Sequence, residues 1–283
     1  MNKVVIFTDS CVDLGLKTTK DLGIEVIPLL VTIKEKVFKD GVDITQKDVI
    51  DSVTKNDIFP KTSSVSPMVF SERFKEFYDK GYDIVYCGIG SDLSGTFNSA
   101  HIAASEFDDN RIFLIDSKNL SSGIGALVLK ACKLRDMGKS AKEIQEEVSK
   151  LTGLVSSKFV VDTLDFIYRG GRCNGAVYFI GKHLKIHPIL KVVDGKLIVH
   201  KKPRGLISRG WDEMLEEFKN DLPHVDLDNI MITGCQNSDG EKYVEEEIKK
   251  MAPKANIRKT QVGCIIASHC GPNTTGILYI KTK

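Results

Sequence analysis

The sequence predicts an α/β fold in two domains. A mainly parallel α/β/α sheet is expected over residues 1–153, and an α+β domain with a largely antiparallel sheet over residues 154–283. Over the first 150 or so residues, short apolar runs alternate with helix-like stretches, as strands joined by crossover helices do. After residue 152 the strand-like runs come in pairs, and Asp194-Gly195 joins two of them as a hairpin turn would. Thr8-Asp9-Ser10, Gly90 to Thr96 and Asp116-Ser117 each follow an apolar run. They therefore sit at carboxyl ends of strands, where open α/β sheets bind ligands.

In order, Val4 to Phe7 reads as the first strand and residues 24–33 as a second apolar segment. Thr45-Gln46-Lys47-Asp48 has the form of a capping box and opens a helix to about Val53. Pro60 and Pro67 bracket a loop rich in hydroxyls, Thr62-Ser63-Ser64 with Ser66, and Ser66-Pro67 starts a helix to about Lys80. Asp83 to Tyr86 and Ile112 to Ile115 are buried strands. Residues 121–138 and 141–151 are helices, the second opened by a capping box at Ser140. Past residue 152, strands are expected at 159–161, 189–193, 196–200, 229–234, 256–262 and 276–281. Helices are expected at 164–168, 174–184, 206–219 and 239–251, covering one face of that sheet.

The loop from Cys87 to Ser99 carries the most chemistry. It lies between a strand and the helix that follows, where unpaired N–H groups favour an anion. Gly88, Gly90 and Gly95 miss the dinucleotide fingerprint because Leu93 stands where the third glycine belongs. Gly90 and Gly95 have P-loop spacing, but Thr96 replaces the lysine. A glycine-flanked hydroxyl remains, Ser94 with Thr96 behind it. It reads either as a donor to a carboxylate or single phosphate, or as the cap of a helix.

Composition narrows the classes. The chain has 283 residues, 40 basic against 38 acidic, so its net charge of +2 argues against a broad nucleic-acid surface. No apolar run approaches the ~20 residues of a membrane span, and no signal peptide opens the chain, so a cytoplasmic protein is expected. Seven scattered cysteines without a Cys-x-x-Cys pair suggest reduced, buried thiols. His183 and His187 have metal-pair spacing, but no acidic or Cys ligand is spaced to join them, and no metal or cofactor is expected.

Two further features stand out. His269 follows an apolar run inside a Gly/Pro-bounded loop, and reads as a hydrogen-bond donor to an anion, a proton shuttle or a structural histidine. Basic residues gather at Arg169, Arg172, His200 to Lys202, Arg204 and Arg209, as phosphate recognition or a solvated face would require. Asp9 is equally a ligand contact or a carboxylate ordering its own turns. Ser94, His269 and a strand-end aspartate could also form a nucleophilic triad, which defines the alternative of a serine hydrolase acting on an acyl ester. No Gly-x-Ser-x-Gly elbow accompanies it.

Taken together, these residues resemble the DegV family of fatty-acid-binding proteins. The resemblance rests on Thr8-Asp9-Ser10, Thr62-Ser63, Ser91 to Ala100, Asp116-Ser117, Thr163-Leu164 with Arg169-Gly170-Gly171-Arg172, and His269-Cys270-Gly271-Pro272. They occur in order across almost the whole chain. Ser64-Val65 and Asn273-Thr274-Thr275 depart from the family's usual residues.

The resemblance implies a long-chain fatty acid held between the domains. Its tail would lie in an apolar tunnel, and its carboxylate would meet Thr62, Ser94 and His269. Ser63, Gly95, Thr96, Asp9 and Ser10 would complete the neighbourhood, with Arg172 and Arg204 near the head group or a kinase. It implies no enzyme, but a carrier that presents the carboxylate to a separate ATP-dependent fatty acid kinase. The acyl phosphate would then supply phospholipid synthesis.

Overall fold

A computed structural model describes residues 2–108, 110–171 and 185–283. Its first sheet has four parallel strands: β1 (Val4–Asp9), β2 (Ile24–Ile27), β6 (Asp83–Gly88) and β7 (Ile112–Asp116), in the order β2-β1-β6-β7. From β1 the chain runs to one side and then returns to the other, so the crevice between the ends of β1 and β6 is the sheet's switch point. The helices α1 (Gly15–Asp21), α3 (Pro67–Tyr78), α4 (Thr96–Ala104) and α6 (Ala141–Ser149) accompany it.

The apolar segment at 24–33 resolves into two strands of different sheets. Pro28 cannot donate to a ladder, and beyond it β3 (Leu30–Ile33) turns into a three-stranded antiparallel sheet with β4 (Lys36–Lys39) and β5 (Lys61–Ser63). The hydroxyl-rich loop is thus partly a strand, in which Thr62 lies opposite Val31. Both capping boxes form. Thr45 starts α2 (Gln46–Thr54) with Asp48, and Ser140 starts α6 with Glu143. Ser66 makes no side-chain cap, but Pro67 does occupy the first turn of α3.

The third sheet has six strands in the order β10-β9-β8-β13-β11-β12: β8 (Val155–Val160), β9 (Ile189–Val193), β10 (Lys196–Lys201), β11 (Ile230–Cys235), β12 (Ile257–Gln261) and β13 (Thr274–Ile280). All its pairings are antiparallel except β11 with β12. Asp194 and Gly195 both take positive φ in the β9–β10 turn, as a type I′ hairpin requires. Expected helix 174–184, with Arg172 and His183, lies outside the described residues.

One difference from expectation concerns coverage. This sheet is buried on both faces, and β8, β11 and β13 are buried along their whole length. Ile277 and Tyr279 point to a core formed with α8 (Ser208–Asp221) and α9 (Ser238–Met251), whereas Leu278 and Ile280 point to the core shared with the first sheet. The cover on that second face is α5 (Ser122–Asp136), which packs on β1 and β6 as well as β8, β11 and β13. Ten of its fifteen residues are buried, including Gly123, Ile124, Leu127 and Val128. A helix apolar on most sides belongs between two layers.

Lys158 of β8 is 4% exposed and 2.8 Å from Glu217 of α8. Lys201 and His200 reach the same carboxylate at 2.8 Å. Burial works to raise the Glu217 pKa, but these hydrogen bonds outweigh it and hold the group at about 2 against an ordinary 4.5. The unfolded chain therefore takes up this proton first on acidification. The stabilisation is present above about pH 4.5 and is lost as pH falls toward 2. Glu217→Gln is expected to lower stability at neutral pH and to give a shallower acid limb, read from urea midpoints at a series of pH values. An unchanged limb would show that the network carries no linkage.

Candidate functional site

The wall segments of the site come from both halves of the chain. From the first come Leu29, the β5 strand, and the loop leading from β6 into α4. From the second come Phe159 and Val161 at the end of β8, Leu190 of β9, Leu197 of β10, and the short helix α10 (Cys264–Cys270). Together they border about 810 Å³ of space free of protein atoms, open solvent at the mouth included. Twelve of the nineteen lining residues are Leu, Ile, Val or Phe. The polar ones are Thr62, Ser63, Ser64, Ser94, His269 and Thr274, and no Lys, Arg, Asp or Glu lines the space among the described residues.

Two of these polar residues are joined directly. Thr62 Oγ1 and His269 Nε2 are hydrogen-bonded at 2.9 Å, across 207 positions of sequence. Ser94 Oγ shares a hydrogen bond of 2.9 Å with Thr96 Oγ1 and accepts one from Thr96 N. Thr96 is fully buried behind Ser94, and α4 begins there with Gly95 as its cap residue. His269 lies on α10, not in a loop, and follows Ile265 and Ile266 by one turn, so apolar wall and imidazole share a face.

The helix is started from a distance. Its first N–H groups, Cys264 N and Ile265 N, donate to Asp40 at 2.7 and 3.4 Å, and Gly263 N donates to Asp13 at 2.7 Å. Gln46 Nε2 donates to Val262 O at 2.8 Å. A side chain at 263 would crowd both carboxylates, which explains the glycine. Burial pushes the Asp13 carboxyl well up, against the hydrogen bonds from Ser121 and Gly263. At the other end, α7 (Asp165–Arg169) closes with Gly170, whose backbone lies against the His269 ring. A Cβ there would overlap Nδ1.

Asp9 and Ser10 do not line the cavity. Asp9 is fully buried and accepts from Tyr86 Oη at 2.8 Å, Ile89 N at 2.8 Å and Cys11 N at 3.0 Å. Burial raises its pKa, and those hydrogen bonds pull it back. Its carboxylate ties the ends of β1 and β6 together at the switch point. Ser10 Oγ accepts from Leu29 N at 3.1 Å. Each thus holds a wall residue, Ile89 or Leu29, from behind. Gly95 and Thr96 likewise stand behind Ser94 and are not lining residues.

Arg204 is exposed, and its carbonyl accepts from Arg209 Nη1 at 3.0 Å. It does not line the cavity either, and Arg172 lies outside the described residues. His200 and Lys201, read with the basic cluster, face Glu217. Arg169 stacks over Phe59 at 4.1 Å. Sequence reasoning noted Ser64 in the hydroxyl-rich loop but did not place it in the site, and it assigned no apolar residue to the wall. An alternating strand shows which side chains share a face, not which face meets a cavity.

The fold and this space define a class: an α/β protein in which a parallel and a mixed sheet sandwich one helix beside a mainly apolar cavity whose few polar lining residues are hydroxyls and one imidazole. The chain belongs to the DegV family. The family model described as "Uncharacterised protein, DegV family" matches residues 3–282. A DegV domain-containing protein of Clostridium acetobutylicum is 34% identical over 286 residues, covering 99% of each chain. One from Caldanaerobacter subterraneus is 35% identical over 283 residues, again covering 99% of each. Among solved structures, one titled as fatty acid binding of a DegV family protein from Thermus thermophilus superposes with a TM-score of 0.89 at 28% identity, covering 99% of this chain and all of that one. DegV of Bacillus subtilis, titled a fatty acid binding protein, gives 0.84 at 26% identity and the same coverage. No described helix is long and apolar enough to cross a membrane.

Proposed function

We propose that this protein binds a long-chain fatty acid in the cavity between its halves, residues 1–153 and 154–283, with the carboxylate at Thr62, Ser94 and His269. The observation that carries the reading is the make-up of the lining: mostly apolar side chains, with Ser94 among the few polar ones and a hydroxyl and an imidazole, Thr62 and His269, hydrogen-bonded to each other. Each buried CH₂ of a tail contributes about 0.8 kcal/mol, so the wall supplies most of the affinity. Burying the carboxylate is costly unless donors replace its water. The Thr62 and Ser94 hydroxyls and the His269 N–H are such donors. The fatty-acid binding named for the Thermus and Bacillus relatives supports the reading.

The protein then serves as a carrier. It presents the carboxylate to a separate fatty acid kinase, in the cytoplasm, for acyl-phosphate formation that feeds phospholipid synthesis. Family membership supports this step, and Arg172 and Arg204 are its candidate contacts to the phosphate or the kinase. The hydrolase alternative gains no support from the hydrogen bonds, since Ser94 Oγ is bonded to Thr96 and His269 Nε2 to Thr62.

The test is mass spectrometry of the intact purified protein. An intact fatty acid should be released on denaturation. Thr62→Val is expected to cut its occupancy by roughly tenfold, the worth of about one hydrogen bond to a charged group. Turnover of acyl esters abolished by Ser94→Ala would instead establish the hydrolase. Incubating the loaded protein with a fatty acid kinase and ATP should yield acyl phosphate, and none would remove the carrier role.

A further inference from the structure

Two thiols meet at the cavity wall. Cys270 ends α10 next to His269 and lines the cavity. Cys235 ends β11, directly opposite Thr274 in the ladder with β13. Thr274 Oγ1 donates to the carbonyl of Cys270 at 3.1 Å, which brings the end of α10 over the end of β11. Both residues are buried, Cys235 at 0% and Cys270 at 8% exposure, and the Cys270 thiol donates to Gly271 O at 3.5 Å. Both are free thiols. The neighbouring Cys270 side chain, with burial behind it, pushes the Cys235 thiol up.

Buried thiols are ordinarily inert. Cys270 differs because its surroundings include an open space that a small oxidant can enter. Cys235 does not face that space.

We propose that Cys270 and Cys235 form a peroxide-reactive dithiol whose reactivity reports whether the cavity is filled. The Cys270 sulfur attacks a peroxide oxygen. A sulfur–oxygen bond forms, the O–O bond breaks, and water (or an alcohol from an alkyl peroxide) leaves. The Cys235 sulfur then displaces the oxygen of the sulfenic acid. The S–S bond forms, the S–O bond breaks, its proton goes to the departing oxygen, and a water leaves. The two thiols lose two electrons and the peroxide gains them. Pulling Cys270 toward Cys235 shifts the wall beside His269, so the oxidised protein holds lipid less well. The shielding of Cys270 by an acyl chain rests on the function proposed above.

The experiment treats the delipidated full-length protein with hydrogen peroxide, and maps it by non-reducing peptide mass spectrometry. A linked Cys235–Cys270 peptide is expected, lost in Cys270→Ala and in Cys235→Ala, with melting temperatures showing that both variants fold. Linkage to Cys173 instead, or over-oxidised Cys270 with no linkage, overturns the dithiol. In protein reloaded with stearate to a measured occupancy, the linking rate should fall to the fraction left empty. An unchanged rate at high occupancy overturns the shielding. Failure to take up stearate at all would refute the lipid-binding function, while the peroxide result on the empty protein still decides the dithiol.

Discussion

Gly170→Ala is expected to weaken fatty-acid binding by roughly ten- to hundredfold with little loss of folded protein. Gly170 has φ −72°, an ordinary helical value, so alanine introduces no backbone strain. What it introduces is a methyl group where His269 Nδ1 stands. The backbone of α7 is fixed on that side by the Gly170 N–H bond to Phe166 O at 2.9 Å, and Phe166 packs against Phe59. The imidazole must move, and its 2.9 Å bond to Thr62 goes with it. Loss of a hydrogen bond to a charged group costs about 1.5–3 kcal/mol, hence the range of affinity. Competition with a fluorescent fatty acid would measure it, alongside a circular-dichroism melt. Wild-type affinity in a folded variant would mean that His269 does not touch the ligand.

Asp40→Ala should be more damaging to stability and should also empty the cavity. Asp40 is 3% exposed and its carboxylate supplies the partners of two buried N–H groups of α10. Leaving such donors unsatisfied costs about 1–3 kcal/mol, a fall in Tm of roughly 3–10 °C for a chain of this size. Fraying of α10 would displace Ile265, Ile266, His269 and Cys270 from the wall together. Asp40→Asn keeps one acceptor oxygen and is expected to lose less on both counts. Equal Tm values for wild type and Asp40→Ala would show that α10 is held by its packing alone.

Much of the fold was legible in the residues. Capping boxes at Thr45 and Ser140, the Asp194-Gly195 turn and the alternation of apolar runs are local signals, and local structure follows them. The DegV resemblance, carried by short motifs at strand ends, agrees with the family match over nearly the whole chain. What escaped depends on distant partners. Residues 264–270 carry no capping residue of their own, because their cap is Asp40, so they read as a loop. The helices expected on one face of the large sheet are joined by α5 on the other, and α5 belongs to the first half of the chain. Asp9 and Ser10 illustrate the same limit within the site. A polar residue at a strand end is equally suited to touching a ligand and to bracing the residue that does, and its sequence context is identical in the two cases.

The order in which the strands of the large sheet are made bears on synthesis. β13 follows every other described strand in the chain, yet in space it stands between β8 and β11. A nascent polypeptide therefore cannot zip that sheet together until β13 has left the ribosome, and α10, emerging just before, docks on carboxylates made more than 200 residues earlier. Such long-range closure slows folding. It also means that the cavity is finished late, after most of the surfaces around it, so a molecule held there enters once β13 has been made.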